Sequence, residues 1–466
     1  MIDNFSGNQQ EKRVSHVQTW RWPLLLALVG WLAVMATRGD PGITSDEPFD
    51  VVQGKGLVAQ FLRKGLRFFA EESIDFVFGR TESHQHPPLG RWVIGWVHWL
   101  QDPRPSDPYV FDIISARAAP ATAFALTLLL VARAAAVWYG TVAGVVAGIA
   151  LLLMPRVFAD AHFAALDTIM SCTYLMSVLS AGWMMQGPRP WLRGLVAGLL
   201  LGCALLTKLN GFFLLPLVGL WTLAFHRQRA LLPVGLWALS GGAVFIAGWP
   251  WMWHDTVARL AKFLGTSVDR QTIYVWYLGQ TWRDADVPWH YPWVLFAVTV
   301  PVGLHVLGLW GVWRYLRQRP CDSHGGLLLG AVAFPLLVFS VPGVPVYDGV
   351  RLFLAAFPMW AMFVGRGAAA GFEWLQQRIE SRWAAVALAG FMASQSFGLF
   401  HYHPFQLSYY NLLVGGLRGA DRLGFEVSYW GDAVTQKLLD DWSKLAPQKA
   451  CAVLVPAKLA RSTSTT

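Results

Sequence analysis

The sequence predicts an all-α polytopic membrane protein of about eleven spans, and three observations carry that prediction. The chain of 466 residues is 55% hydrophobic and only 14% charged, well below the ~25% charge of a soluble domain. Its apolar residues fall in runs close to the ~20 residues that cross a hydrocarbon core. Its arginines stand in ones, twos and threes between those runs, the habit of membrane topology rather than of a binding face. This composition excludes a soluble enzyme, a disordered chain and a disulfide-stapled secreted domain. The net charge of +9 does not point to nucleic acid, because the cations do not cluster. Of the four cysteines, Cys172 and Cys203 lie inside apolar runs while Cys321 and Cys451 do not, so no disulfide framework is implied.

The runs are 22–37, 113–133, 139–155, 162–184, 193–208, 211–226, 231–251, 292–313, 325–341, 352–366 and 383–400. The first follows Glu11-Lys12-Arg13 and reads as a signal anchor rather than a cleaved leader, since many spans come after it. With the N terminus in the cytoplasm, the inner connections carry Arg133, Arg189 and Arg193, Arg227 and Arg229, Arg314, Arg317 and Arg319, then Arg366, Arg378 and Arg382. The short outer connections carry single cations, Arg156, Lys208 and Arg351. That bias is the positive-inside rule. Every inner connection is short, so none holds a nucleotide-binding domain. The polar mass lies outside, in loop 38–112, loop 252–291 and the tail 401–466, and chemistry is expected there. The chain divides into a membrane module, 1–400, and an outer-face tail, 401–466.

Loop 38–112 carries structure of its own. Pro48 to Ala70 reads as a helix with Val58, Phe61, Leu62, Leu66 and Phe69 on one face and Lys55, Arg63, Lys64 and Arg67 around the other. A basic amphipathic helix of this kind suits the membrane interface. Pro87-Pro88 breaks the chain before a second apolar helix, 89–100, too short to span.

Within that loop, Asp46 and Glu47 follow the first span directly. One reading is that either carboxylate caps the helix beginning near Pro48. The other is catalytic, since a carboxylate partly withdrawn from water has a raised pKa and takes a proton from a hydroxyl. Neighbouring residues in an extended turn point opposite ways, so Asp46 is expected to face the reaction and Glu47 to anchor the loop. His84-Gln85-His86-Pro87-Pro88-Leu89-Gly90-Arg91 is either a proline-stiffened turn or a place where His86 and Arg91 meet a phosphate or sugar. No third ligand accompanies His84 and His86, so no metal site is assigned, although a divalent cation stays open. Arg117, Asp167, Lys208 and Arg351 place charge at the outer ends of spans, where an ionised group is costly and Arg351 also suits a plain interfacial anchor. The tryptophans Trp249, Trp251, Trp253, Trp276, Trp282, Trp289 and Trp293 flank loop 252–291, either as interface belt or as faces that stack on sugar rings.

These motifs together resemble the protein O-mannosyltransferases and the bacterial lipid A aminoarabinose transferases of the GT-C class. The resemblance rests on Asp46-Glu47, His86-Pro87-Pro88-Leu89-Gly90-Arg91, Asp167, Leu205-Leu206-Thr207-Lys208 and Asp348-Gly349-Val350-Arg351-Leu352, and covers roughly residues 20–430. Arg91 stands where the motif usually has lysine, and the chain has no room for the β-rich domain of the eukaryotic members. The family implies a GT-C-like helical bundle with interfacial helices in a large first outer loop, a polyprenyl-phosphate-linked sugar donor and an acidic catalytic residue matched by Asp46. The expected reaction moves a sugar from that donor to a hydroxyl of a protein, lipid or glycan acceptor, on the periplasmic face of a bacterial cytoplasmic membrane. Lys208 and Arg351, with His86, Arg91, Arg117 and Asp167, are the candidate donor phosphate and sugar ligands. A single base with no second nucleophile favours inversion, and phosphate as leaving group needs no general acid. The rival reading is a secondary transporter, which would place its binding groups at the midplane between repeated halves; here they gather at one end.

Overall fold

The computed structural model describes residues 4–78, 86–102, 112–265 and 271–445, with side chains from Trp20 onward, Gln228 excepted. His84 and Cys451 lie outside the described residues. The fold is a bundle of helices. Among the described residues its strands are Tyr274–Tyr277 and Gln280–Arg283, an antiparallel hairpin in register Tyr274 to Arg283.

The apolar runs become helices because their interior lacks water and each backbone N–H must find a carbonyl within its own segment. Trp20–Thr37, Ile113–Tyr139, Leu231–Gly248 and Ser381–His401 are long and apolar enough to cross a membrane by length and composition. Between them come Thr141–Leu152, Leu166–Met184, Pro190–Leu205, Leu214–Phe225, Ser323–Val338 and Ala356–Gln376. The expected span 292–313 is two helices, Tyr291–Thr299 and Val302–Arg317, bent by 114°. Pro301 is the cause. It offers no N–H and drives the residue before it out of the helical region; Val300 sits at φ −99, ψ 139.

The connections sort into two groups, as the cation bias anticipates. At one, Arg366 donates to Asp322 Oδ2 at 3.0 Å and to Gln318 Oε1 at 2.6 Å and lies over the Tyr139 ring. Arg133 lies over Trp20, and Gln186 meets His324. All come from predicted inner connections or the span ends beside them. The other group holds the loop after Thr37, the turns around residues 156–166 and 206–213, the segment 343–353 and the tail.

The first outer loop folds much as its periodicity predicts. Glu47–Lys64 runs into a 3₁₀ turn, Gly65–Phe69, and Leu89–Gln101 follows the Pro-Pro break. The two helices cross at Gly54 and Gly95. A Cβ at Gly54 would stand 2.5 Å from the Arg91 carbonyl, and one at Gly95 2.1 Å from the Gly54 carbonyl. Val58 is buried in the crossing, while Leu62 and Leu66 stay exposed, the apolar edge that an interface would cover. The tail packs back over the loop. Gly42 N–H donates to Asp432 O at 2.8 Å, and Ser45 N–H to Trp430 O at 3.0 Å.

Candidate active site

Four separate chain segments end at one place. Asp46 directly precedes helix Glu47–Lys64. Asp167 lies in the first turn of Leu166–Met184. Lys208 is extended, at φ −159 and ψ 159, just past Pro190–Leu205. Arg351 opens the 3₁₀ turn Arg351–Phe353 ahead of Ala356–Gln376. Helix ends meet here because their unpaired backbone groups and flanking polar residues stay near water while the helix bodies do not. Two bonds hold the loops together: Asn210 Nδ2 donates to Leu352 O at 2.6 Å, and Leu89 N–H to Leu206 O at 2.9 Å.

The charges form one network. Lys208 Nζ donates to Asp167 Oδ1 at 2.6 Å. Arg351 pairs with Asp46, with Asp348 Oδ2 at 2.9 Å, and at 4.0 Å with Asp167 Oδ2. Its guanidinium lies between the rings of Trp430, 4.6 Å away, and Tyr347, 5.0 Å away. The side chains of Arg351, Asp167 and Lys208 are 5%, 4% and 10% exposed, whereas Asp46 is 40% exposed. Asp46 is the acid of the cluster that faces outward. Arg351 Nε is buried without an acceptor, an open donor where an anion would fit.

Electrostatics alter one expectation. Burial pushes the Asp46 carboxyl up, but the Arg351 guanidinium, by charge and hydrogen bond, outweighs it, with help from Lys208 and the Trp430 indole, and holds the group at about 2. The raised value expected from withdrawal out of water is therefore reversed by an opposite charge at contact. Asp46 makes no capping bond to the helix that follows it, so the capping reading does not apply to it.

Glu47 faces the other way and is fully buried. It accepts from Thr44 N at 2.9 Å, Arg117 Nε at 2.7 Å, Arg117 Nη2 at 2.9 Å and Ala164 N at 2.8 Å. It ties three segments together and is sealed from solvent. Of the two expected catalytic carboxylates only Asp46 faces the opening. Arg117 is likewise spent. It donates to the carbonyls of Arg38, Pro41 and Gly42 besides Glu47, so it shapes the loop and is not placed to take a donor phosphate. Arg91 is buried with Nε 3.1 Å from Asp50 Oδ1, an internal pair rather than an open phosphate ligand. His86 is partly buried among these cations. Burial, then the charges of Arg91 and Lys208, depress its pKa, so the imidazole is neutral at neutral pH.

Several residues of the site escaped sequence reading. Asp348 is adjacent to Gly349 in a quoted motif, but a partner for Arg351 three residues on was not assigned. Asp50 is one helical turn past Asp46, a spacing that faces the same way; burial pushes its carboxyl up to about 6 against the pull of Arg91. The sequence offers Arg156 as a cation of an outer connection and as an alternative to Lys208 in pairing with Asp167, and the pairing goes to Lys208. Arg156 is buried, donates to Tyr409 O at 3.2 Å and lies over Tyr410. Beside it Asp160 and Asp432 are buried. Burial raises both, Asp432 to about 7, and the nearby Asp167 raises Asp160 further. Among the described residues no group of three or more His, Cys, Asp or Glu is arranged to hold a metal.

Residues 85–254 match the family model described as dolichyl-phosphate-mannose-protein mannosyltransferase. No curated protein matches the chain. Among solved structures, ArnT from Cupriavidus metallidurans in the apo state aligns at TM-score 0.54 and 17% identity over 83% of this chain and 72% of that one. The same protein bound to undecaprenyl phosphate gives 0.54 at 15% identity over the same shares. The archaeal oligosaccharyltransferase AglB from Archaeoglobus fulgidus, in complex with an inhibitory peptide and a dolichol-phosphate, gives 0.52 at 11% identity over 94% of this chain and 62% of that one. At such identities the structural likeness is one of fold, and the family match is to residues 85–254. The chain is a multi-pass membrane protein with the helical fold of these GT-C transferases, and over residues 85–254 it resembles a glycosyltransferase family.

Proposed function

We propose that the protein moves a single sugar from a polyprenyl-phosphate donor to an acceptor hydroxyl, with inversion, at the outer face of a bacterial cytoplasmic membrane. The observation that carries this reading is the convergence of Asp46, Asp167, Lys208 and Arg351 from four loops onto one outward-facing cluster. The donor classes named for the fold neighbours support it, since ArnT was solved with undecaprenyl phosphate and AglB with a dolichol-phosphate. The acceptor is a hydroxyl on a protein, lipid or glycan.

The mechanism follows from the charge balance. Both cations are already neutralised by carboxylates, so an incoming phosphate must displace one of them. Asp46 is the partner that yields, being 40% exposed where Asp348 is 15% and Asp167 4%. The phosphate then takes Arg351, including its open Nε, and Lys208. Asp46 loses the charge that held it at about 2, and burial raises it toward the range of a working base. Freed, it accepts the proton of the acceptor hydroxyl as the oxygen attacks the anomeric carbon. The bond from that carbon to the phosphate oxygen breaks with its electron pair, and the lipid phosphate leaves as an anion stabilised by Lys208 and Arg351. Donor binding and base activation are thus one event.

The test is Asp46→Asn in purified protein given a panel of polyprenyl-phosphate sugars. Transfer should fall by ~10²–10⁴, the contribution of general base catalysis, with the fold and donor binding retained. Full activity in that variant refutes the assignment.

A further inference from the structure

Donor binding leaves Asp46 without its strongest partner at the moment it must act. In the resting site Asp46 Oδ2 pairs with Arg351, and Oδ1 accepts from Ser45 Oγ at 3.2 Å. Once a phosphate claims Arg351, Oδ2 needs another donor, and one stands beside it. Trp430 is 7% exposed, and among the described residues its Nε1 has no acceptor at hydrogen-bond geometry. The indole is nevertheless near enough to Asp46 to help depress its pKa. A buried N–H without an acceptor is costly and rare in a folded chain.

The tail is built to hold this ring in place. Trp430 has φ +66, a left-handed backbone that a bulky L residue rarely adopts. Such strain persists only where the surroundings enforce it, and it gathers at functional sites. The enforcing contacts are clear. Trp430 O accepts from Ser45 N–H at 3.0 Å, and Asp432 O from Gly42 N–H at 2.8 Å. Loop and tail lie so close that a Cβ at Gly42 would stand 2.4 Å from Val434 O. Phe163 packs against the indole in a T-shape with ring centroids 5.5 Å apart, and Arg351 lies 4.6 Å from the ring. Trp430 stands outside the residues that the family model matches, so that match assigns it nothing.

We propose that Trp430 is a positioning residue for the transfer: its indole N–H donates to Asp46 Oδ2 when phosphate takes Arg351, and holds the freed carboxylate toward the acceptor hydroxyl. The proposal rests on the reading of Asp46 as the base. Anchored at Oδ2, the carboxylate keeps Oδ1, on the side of the exposed Ser45, for the proton. A fixed base outperforms a mobile one, because proton transfer needs hydrogen-bond reach and alignment. The open donor of the resting site becomes the orienting bond of the loaded one. The far end of the chain thereby completes a site whose acid lies near the start.

The experiment follows, by nuclear magnetic resonance, the indole protons of the full-length protein with isotopically labelled tryptophan in nanodiscs. Trp430→Phe identifies the Trp430 signal. Adding undecaprenyl phosphate should move that signal downfield, as an N–H does when it gains a carboxylate acceptor. Asp46→Ala should abolish the movement and still bind the lipid. In the panel of polyprenyl-phosphate sugars, Trp430→Phe keeps an aromatic face over Arg351. It should lower kcat for release of the lipid phosphate by ~10-fold or more, the worth of a hydrogen bond to a charged group, and leave the donor KM within ~2-fold. If Trp430→Phe fails to bind lipid, Trp430→Tyr supplies the assignment and the spectra decide alone. The proposal is overturned if the wild type binds the lipid with no downfield movement, or if the movement survives Asp46→Ala. It is also overturned if Trp430→Phe keeps the wild-type kcat while Asp46→Asn is inactive. An active Asp46→Asn, or a wild type that binds none of these lipids, instead removes the reading on which the proposal rests.

Discussion

Asp46 and Glu47 are neighbours with opposite fates. One faces the opening and pairs with a cation that a phosphate can claim; the other is sealed against Arg117 and two backbone amides. Removing one partner of a buried ion pair strands the other charge and costs ~3–5 kcal/mol. Arg117→Ala or Glu47→Ala should therefore lower the thermal midpoint sharply in detergent, whereas Asp46→Asn should leave it near wild type. Lys208→Ala should weaken binding of bare undecaprenyl phosphate by ~10-fold or more with less effect on the midpoint; unchanged affinity removes Lys208 from the phosphate site. Asp50 gives a pH signature. Its carboxyl titrates at about 6 when folded against 3.8 ordinarily. A raised folded pKa adds stability that is full below about pH 4 and lost as pH rises through about 6, by up to ~3 kcal/mol at 1.36 kcal/mol per unit. Asp50→Asn should flatten that part of the stability profile. A slope between pH 4 and 6 as steep in the variant as in the wild type sinks the assignment.

Among the elements, the crossing of Glu47–Lys64 with Leu89–Gln101 holds the catalytic turn in place, because Asp50 on one helix pairs with Arg91 on the other. Gly54→Ala would push a methyl to 2.5 Å from a backbone carbonyl that cannot rotate away. The expected cost is ~1–3 kcal/mol, with transfer reduced because Asp46 shifts with its helix; a variant of unchanged midpoint and rate shows that the crossing does not position Asp46. These two helices were legible in the sequence from periodicity and from Pro87-Pro88. The bend at Pro301 was not drawn, although the proline was in view. A hydropathy run averages over a single residue, and the bend becomes visible only when the missing N–H and the extended residue before it are weighed against the run.

For the molecule as a whole, the cation bias predicts an orientation that can be measured. In a background without the four native cysteines, Arg229→Cys should react with a membrane-impermeant thiol reagent only in inverted vesicles, and Gly343→Cys only in right-side-out ones. Reaction of both from one side overturns the topology and with it the outer-face assignment of the cluster.

The sequence by itself determined the helical membrane class, the alternation of the ends and the candidate charges at the outer connections. Apolar run length and cation placement are local properties, set by the cost of burying backbone and charge in hydrocarbon. Only the tertiary structure decided which of those charges are engaged elsewhere. Glu47, Arg91 and Arg117 look as available in the sequence as Asp46, Lys208 and Arg351, and they differ only in the partners that distant segments bring. It also decided that the residues 401–435 roof the site through Trp430 and Asp432. Contacts between residues hundreds of positions apart leave no trace in spacing, because folding, and not the chain, makes them neighbours.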